Sequence, residues 1–254
     1  MGELGSFSCG YFIHVFYIDY VSKVRHLLVN APEHVKFFVT TSDGDIHREL
    51  SQIGADFPDR MLVNSVPNRG RNFAPLLIEF GAFMQNLDFC IFLHSKKSKQ
   101  SRNGAEWSST NWDFFDFSNN RFLDSLGIFL GNEEIAVLSV LNARVARNQV
   151  FGWGPSYKVA KTKIGKKLEL HPKRLDKFYF PAGGMFAIKN TELRWISELA
   201  LEYEDFEEET SQLDGTLAHA IERLIGYSSA RTHDAQIVWD PASNSLRVPG
   251  VGSK

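Results

Sequence analysis

The sequence is poor in cysteine, with Cys9 and Cys90 the only two in 254 residues, too few for a disulfide framework or a thiolate zinc site. It has no apolar run near the roughly 20 residues that a membrane-spanning helix needs. Neither sign of charge dominates: 28 Lys+Arg stand against 30 Asp+Glu, a formal net charge of -2. No bulk positive field therefore exists to draw in nucleic acid. The stretch from Met1 to Cys9 has no basic segment leading into an apolar one, so a secretory signal is not read there. A reducing, cytoplasmic setting is the expectation. There is no internal repeat, low-complexity linker or shift in composition to force a domain boundary. What the chain has in quantity is aromatic, 21 Phe and 5 Trp, which suit either an aromatic core or a surface for stacking sugars or bases.

Short apolar runs alternate with segments of helical period. Phe12–Tyr17, Val35–Thr40, Arg60–Val66 and Phe89–Leu93 read as strands, and Tyr20–Asn30, Asp45–Ile53 and Phe73–Asn86 as helices between them. Strand alternating with helix predicts a doubly wound α/β fold: a mostly parallel, Rossmann-like sheet with helices on both faces, in a single domain. Lys99 to Phe117 reads as a loop or lid carrying Trp107 and Trp112. A helix from Asn119 to Gly131, a strand from Ile135 to Val140, a strand from Phe178 to Ile188 and helices at Thr191–Leu201 and Leu213–Ile225 follow. The domain is expected to span residues 10–230, with 231–254 a partly disordered C-terminal tail rich in Ser, Gly and Pro.

Ligands of such sheets bind beyond the carboxyl ends of the strands. Those positions are polar here, and two are strongly basic. Arg69-Gly70-Arg71 can set two guanidinium forks on a phosphate while the glycine admits close backbone approach; an ordinary strand-to-helix turn is the alternative. His94-Ser95-Lys96-Lys97-Ser98 places two ammonium groups at the same rim, where a lysine can neutralise charge developing on a diphosphate leaving group. A solvated polar loop is its alternative. Thr41-Ser42-Asp43-Gly44-Asp45 resembles a metal-binding Asp-x-Asp, but an acid here more often accepts from a base or ribose, or caps a helix. Asp214, in Leu213-Asp214-Gly215-Thr216, reads either as a helix N-cap or as a carboxylate available for general base work. His219 reads as a buried, hydrogen-bonded histidine. Gly183-Gly184 suggests close approach by a ligand within a strand, or a bulge. The acidic run from Glu204 to Glu209 reads as a solvated surface.

Taken in order, these segments resemble the rhamnan synthesis protein F family. The matching stretches are His14-Val15-Phe16-Tyr17, Asn68 through Pro75, Leu93 through Ser98, Phe180 through Phe186, and Glu204 through Arg223; they span about Phe12 to Tyr227. The family usually has Asp where this chain has Asn72, so an amide stands at that loop in place of the acid. The order of parts is also similar to that of the large inverting family two of glycosyltransferases, in which a Leu-Asp-x-Asp after the fourth strand binds metal. Here that element reads Leu93-His94-Ser95-Lys96, with both acids replaced.

The resemblance implies a GT-A-like sugar transferase with no cofactor beyond its nucleotide-sugar donor, dTDP-L-rhamnose, and no bound metal. Thr41, Asp43, Arg69, Arg71, His94 and Lys96 would hold the donor. Asp214 would be the catalytic base, and Gly183, Gly184 and Trp153 would border a glycan or lipid-linked glycan acceptor. The partners implied exclude nucleic acid and admit peripheral association at the inner face of the cytoplasmic membrane, within a larger multidomain polysaccharide synthesis protein. A non-catalytic glycan-binding module, using Trp107, Trp112 or Trp153, is the competing class.

Overall fold

The computed structural model describes residues 7–95, 104–141, 151–208, 212, 214–232 and 235–248. Its elements run β1 (Cys9–His14), α1 (Val21–Asn30), β2 (Lys36–Thr41), α2 (Gly44–Asp56), β3 (Met61–Ser65), α3 (Phe73–Met84), β4 (Phe89–His94), α4 (Gly104–Phe114), α5 (Asn120–Gly131) and β5 (Ile135–Val140). There follow α6 (Tyr157–Val159) and α7 (Gly165–Lys167), joined by a π turn at Ala160–Ile164, then β6 (Phe186–Lys189), α8 (Trp195–Leu199), α9 (Leu217–Thr232), β7 (Ala235–Asp240) and β8 (Ser245–Arg247). Among the described residues the strands form one sheet in the order β3-β2-β1-β4-β6-β5-β7-β8. The pairs β3·β2, β2·β1, β1·β4 and β5·β7 are parallel; β6 runs antiparallel between β4 and β5, and β8 antiparallel at the edge. The α/β reading, mostly parallel with helices on both faces, therefore holds.

The aromatic content goes into the sheet. Phe38, Phe12, Phe92 and Phe186 are register partners on β2, β1, β4 and β6, and their rings stack in a row at centroid distances of 4.8, 5.7 and 4.9 Å. Such cross-strand pairs favour this register, because a slip by one residue would turn every ring to the other face. On the opposite face Tyr11 stacks on Phe37 at 4.7 Å. One core lies between that face and α1, α2, α4 and α5; the other lies between the phenylalanine row and α3, α8 and α9.

Several expected boundaries move. The first strand begins and ends three residues earlier than expected, because the apolar run from Tyr11 to Ile18 has no internal stop; the chain leaves the sheet into a 3-10 turn at Ile18–Tyr20. The region expected as a loop or lid contains α4, which Trp112 pins down: its ring is 2% exposed, tilted against Tyr20, and its Nε1–H donates to His94 O at 3.2 Å. The expected tail contributes β7 and β8, and Ile237 and Val238 are buried. The boundary at 230 falls within α9. The short apolar run Ile237-Val238-Trp239 carries the strand signal, but Asp240, Pro241 and a Ser/Asn turn follow it and dominate the composition.

Candidate functional site

The carboxyl ends of β1, β2 and β4 lie side by side, with His14 paired in register to both Thr40 and His94. Beyond β2, Asp43 serves as the N-cap of α2: its Oδ1 accepts from the N–H groups of Asp45 and Ile46 at 2.9 and 3.0 Å, while its side chain stays exposed at the rim. Thr41 is fully buried and its Oγ1 accepts from Asp43 N–H at 3.2 Å. Its part is to set the Asp43 loop, since it offers no surface to a ligand.

The loop after β3 is clasped to the other end of the chain. Arg69 Nε donates to Phe206 O at 2.7 Å, Arg69 forms an antiparallel bridge with Glu208, and Arg71 Nη2 donates to Gln212 O. Gly70 makes this possible: at φ +69°, an added Cβ would sit 2.3 Å from Ala74 Cβ and 2.7 Å from the Phe206 ring. Arg71 follows at φ +57°, so two successive left-handed residues turn the chain into α3. The acidic run is thus an integral strap: Phe206 is buried, and Glu207 Oε2 accepts from Leu217 N–H at 2.9 Å at the start of α9. The arginines spend part of their hydrogen-bonding capacity on this strap. Arg69 makes its described contact through Nε, leaving both Nη groups without a hydrogen-bond partner among the described residues.

Gly183 and Gly184 lie in a turn ahead of β6, at φ +97° and +68°, and not within a strand. The turn is the hub of the site. Gly183 N–H donates to Glu222 Oε1 on α9, and its carbonyl is 2.6 Å from His94 Nε2. A carbonyl can only accept, so Nε2 carries the proton. Gly184 abuts Asn72, whose amide Nδ2 would lie 2.9 Å from a Cβ placed there. Asn72 is 6% exposed and its Nδ2 has no hydrogen-bond partner among the described residues. A buried donor of this kind is costly unless something accepts from it, which makes the Asn72–Gly184 contact a place for an acceptor atom.

His14 stands behind this hub, its Nδ1 2.9 Å from Thr40 Oγ1. Burial, with the neighbouring His94 second, pulls its pKa from 6.5 down to about 3. The unfolded chain takes up this proton near pH 6.5 and the folded chain only near 3. The contribution is therefore complete above 6.5 and is lost as pH falls from there towards 3, by at most about 1.4 kcal/mol per pH unit. His14→Gln should flatten the acid limb of the stability curve. Urea midpoints measured across that window test this, and an unchanged slope would refute it.

Asp214 is not at a helix start. Gly215, at φ +86°, breaks the helical path, and α9 begins at Leu217 with Thr216 as its cap. There Thr216 Oγ1 lies 2.7 Å from His219 Nδ1, a local pairing that gives His219 the buried, hydrogen-bonded role expected of it. What fixes Asp214 instead is a set of donors. Ser156 O–H and Gly215 N–H donate to Oδ1 at 3.0 and 2.6 Å, and Arg223 Nη2 donates to Oδ2 at 2.8 Å. A carboxylate has about four acceptor positions. Among the described residues these contacts leave one open, on Oδ2, and the side chain is 27% exposed. Arg223 itself is buried, donates through Nη1 to Ser156 Oγ and His219 O at 3.2 Å each, and lies over the Phe180 ring at 4.7 Å.

The structure thus brings together Arg69, Arg71, His94, Gly183, Gly184 and Asp214 through the strap and α9, where adjacent residues Glu222 and Arg223 hold the glycine turn and Asp214 respectively. Sequence reading missed Arg223, Glu222, Ser156 and His14 as members. His14, Glu222 and Arg223 were signalled only by lying in the His14–Tyr17 and Glu204–Arg223 stretches of the resemblance, and Ser156 by nothing in it. Trp153 is a correction: it is fully buried against Phe178 and Tyr227, its Nε1–H on Asp176, so it has no face for a sugar. Lys96 lies outside the described residues. Among the described residues no three acidic, histidine or cysteine side chains converge as metal ligands do. A cleft of about 390 Å³ adjoins the strap, lined by Thr162, Lys163, Ile164, Lys166, Lys167, Leu199, Leu201, Asp205 and Leu217.

Two curated relatives, both described as uncharacterized protein WxcX, come from Xanthomonas campestris pv. campestris strains ATCC 33913 and B100. Each is 24% identical and covers 93% of this chain; the chain spans about a third of their length, 33% in each case. Among solved structures, a cytidylyltransferase from Leptospira borgpetersenii aligns with 89% of this chain and 72% of its own at 12% identity and a TM-score of 0.39. The ordered motifs find their counterpart in a family model described as rhamnan synthesis protein F, which matches residues 7–234 and so takes in β1, the arginine loop, the glycine turn, the strap and α9 together. The chain belongs to the rhamnan synthesis protein F family.

Proposed function

We propose that this domain is a glycosyltransferase that moves a deoxyhexose, L-rhamnose from dTDP-L-rhamnose, onto a growing surface glycan, with inversion and without a metal ion. The observation that carries the reading is the strap. It draws Asp214, from the far end of the chain, to the basic loop after β3 by way of the Arg71–Gln212 contact. An anion-binding rim and an anchored carboxylate then face one region, as transfer from a nucleoside diphosphate requires.

In the proposed step the open position of Asp214 Oδ2 takes the proton of the acceptor hydroxyl. The hydroxyl oxygen bonds to C1 from the face opposite the nucleotide, and the C1–O bond to the diphosphate breaks with its electron pair leaving on the nucleotide. Inversion of a β-L donor gives an α-L linkage. The Arg69 Nη groups supply donors near the departing phosphates, His94 holds the glycine turn beside them through its Nε2–H, and Lys96 is expected to add a fixed charge. Asp43, exposed at the rim, would hold the nucleoside, and the amide of Asn72 beside Gly184 an acceptor or sugar oxygen. The His94-Ser95-Lys96 element supports metal independence, because side-chain cations preserve the sign of the field that a carboxylate-bound cation would provide.

Calorimetry with dTDP and UDP, in buffer containing EDTA and in buffer containing magnesium, tests the reading. The expected result is binding of dTDP that EDTA leaves unchanged. Binding that requires magnesium would overturn metal independence. Absence of binding by either nucleotide would overturn the transferase reading in favour of a glycan-binding module, which the burial of Trp112 and Trp153 already deprives of two of its three candidate tryptophans.

A further inference from the structure

The charge of this chain is unevenly placed. Between Lys158 and Lys177 there are eight Lys or Arg and two acids, whereas the rest of the chain has 20 against 28. All eight cations are exposed. Lys163 and Lys167 lean on the strap, at 3.7 Å from Glu207 and Asp205 respectively. The other six, Lys158, Lys161, Lys166, Lys173, Arg174 and Lys177, have no carboxylate partner among the described residues.

The segment ends in a built turn. Asp176 N–H donates to Lys173 O at 3.1 Å, and Asp176 Oδ2 accepts from Lys173 N–H at 2.7 Å and from the buried Trp153 Nε1–H at 3.3 Å. One of the two acids is thereby turned inward and used as a clamp. Gly152 is held against the same turn: its φ is +69°, and an added Cβ would lie 2.5 Å from Asp176 O. The clamp holds Leu175 at the tip, 88% exposed, the most exposed large apolar side chain described. Lys173 and Arg174 precede it and Lys177 follows. Water gives nothing back for an apolar tip held out in a fixed turn.

We infer that this basic face, with Leu175 as its apolar tip, docks the protein on an anionic membrane surface. Lysines near such a surface gain from its negative potential, and a leucine between them gains by entering the boundary between headgroups and acyl chains. A nucleic acid or an acidic protein would use the cations but offer less to Leu175. The geometry also places the surface usefully. Segment 151–156 runs from the Trp153 anchor of the turn to Ser156, the Asp214 donor, so a docked turn would hold the proposed base near lipid-linked material. The inference stands on charge and exposure and does not depend on the transferase reading.

Sedimentation of the full chain with phosphatidylcholine vesicles, with and without phosphatidylglycerol, tests it. Binding is expected only to the anionic vesicles and should weaken at high salt. Lys173→Glu with Arg174→Glu should lower the partition coefficient by about tenfold or more. Leu175→Ser should lower it several-fold at unchanged charge. Arg48→Glu, an exposed reversal on α2, should change it little. Melting curves confirm that each variant is folded, as the exposure of these side chains predicts. Absence of binding to anionic vesicles, equal binding to neutral ones, or binding indifferent to both turn variants would overturn the inference. So would retention by a single-stranded RNA oligonucleotide with none by vesicles.

Discussion

Asp214→Asn should lower turnover of a nucleotide-sugar donor by about 10²- to 10⁴-fold, the range that a positioned general base supplies, while dTDP affinity stays nearly unchanged. The separation follows from position. Asp214 is held by Ser156, Gly215 and Arg223, none of which is among the residues proposed to bind the nucleotide. The amide cannot satisfy all three donors. Facing its oxygen to Ser156 and Gly215 turns its NH₂ towards Arg223, and the reverse orientation leaves Gly215 N–H without its acceptor. One lost or repulsive contact costs about 1–3 kcal/mol, so the variant should also melt earlier. Calorimetry on the folded variant distinguishes the two effects. Retained nucleotide binding with lost turnover supports the role, and unchanged turnover removes Asp214 as the base.

Gly226→Ala should cost about 3 kcal/mol or more, a large share of the stability of a domain. Gly226 is on α9, and a Cβ there would lie 2.0 Å from Tyr179 O and 2.7 Å from Phe180 Cβ. Neither neighbour yields easily: Tyr179 O also accepts from Gln236 Nε2 at 3.0 Å on β7, and Phe180 lies under the Arg223 guanidinium. The paired substitution Gly127→Ala, at an exposed site on α5 where nothing lies within 4 Å of the new Cβ, should stabilise by about 0.5–1 kcal/mol through backbone entropy and helix propensity. Urea unfolding of the two variants is the measurement, and shifts of the same sign would contradict the close approach of α9 to residues 179–180.

The first half of the fold was legible because β2 and β4 are buried on both faces and read as continuous apolar runs between polar breaks, while the edge strand β3 shows only the short apolar run Met61-Leu62-Val63. β5 coincides with its expected span, Ile135 to Val140, for the same reason. Asp43 was legible as a cap because capping is local. The glycine turn was not: Phe178 to Ile188 is apolar throughout, and only the backbone angles at Gly183 and Gly184 show that the strand begins at Phe186. Asp214 was placed on a helix because the apolar period continues through Leu213, whereas the Thr216–His219 pairing and the left-handed Gly215 decide where α9 begins. Arg223 looks in sequence like any solvated helical arginine. Its role depends on Asp214 and Ser156, nine and 67 residues away, and no local pattern encodes such a meeting.

The position of β6 bears on how the polypeptide leaves the ribosome. β3, β2, β1 and β4 are complete once His94 has been made, but the partner on the free side of β4 is Phe186–Lys189, and β5, although synthesised earlier, reaches β4 only through it. At translation rates of roughly 5–20 residues per second, the nascent half-sheet waits on the order of 5–20 s with an apolar edge unpaired. That interval is when chaperones and neighbouring nascent chains would compete for it, and products truncated within it should aggregate rather than fold.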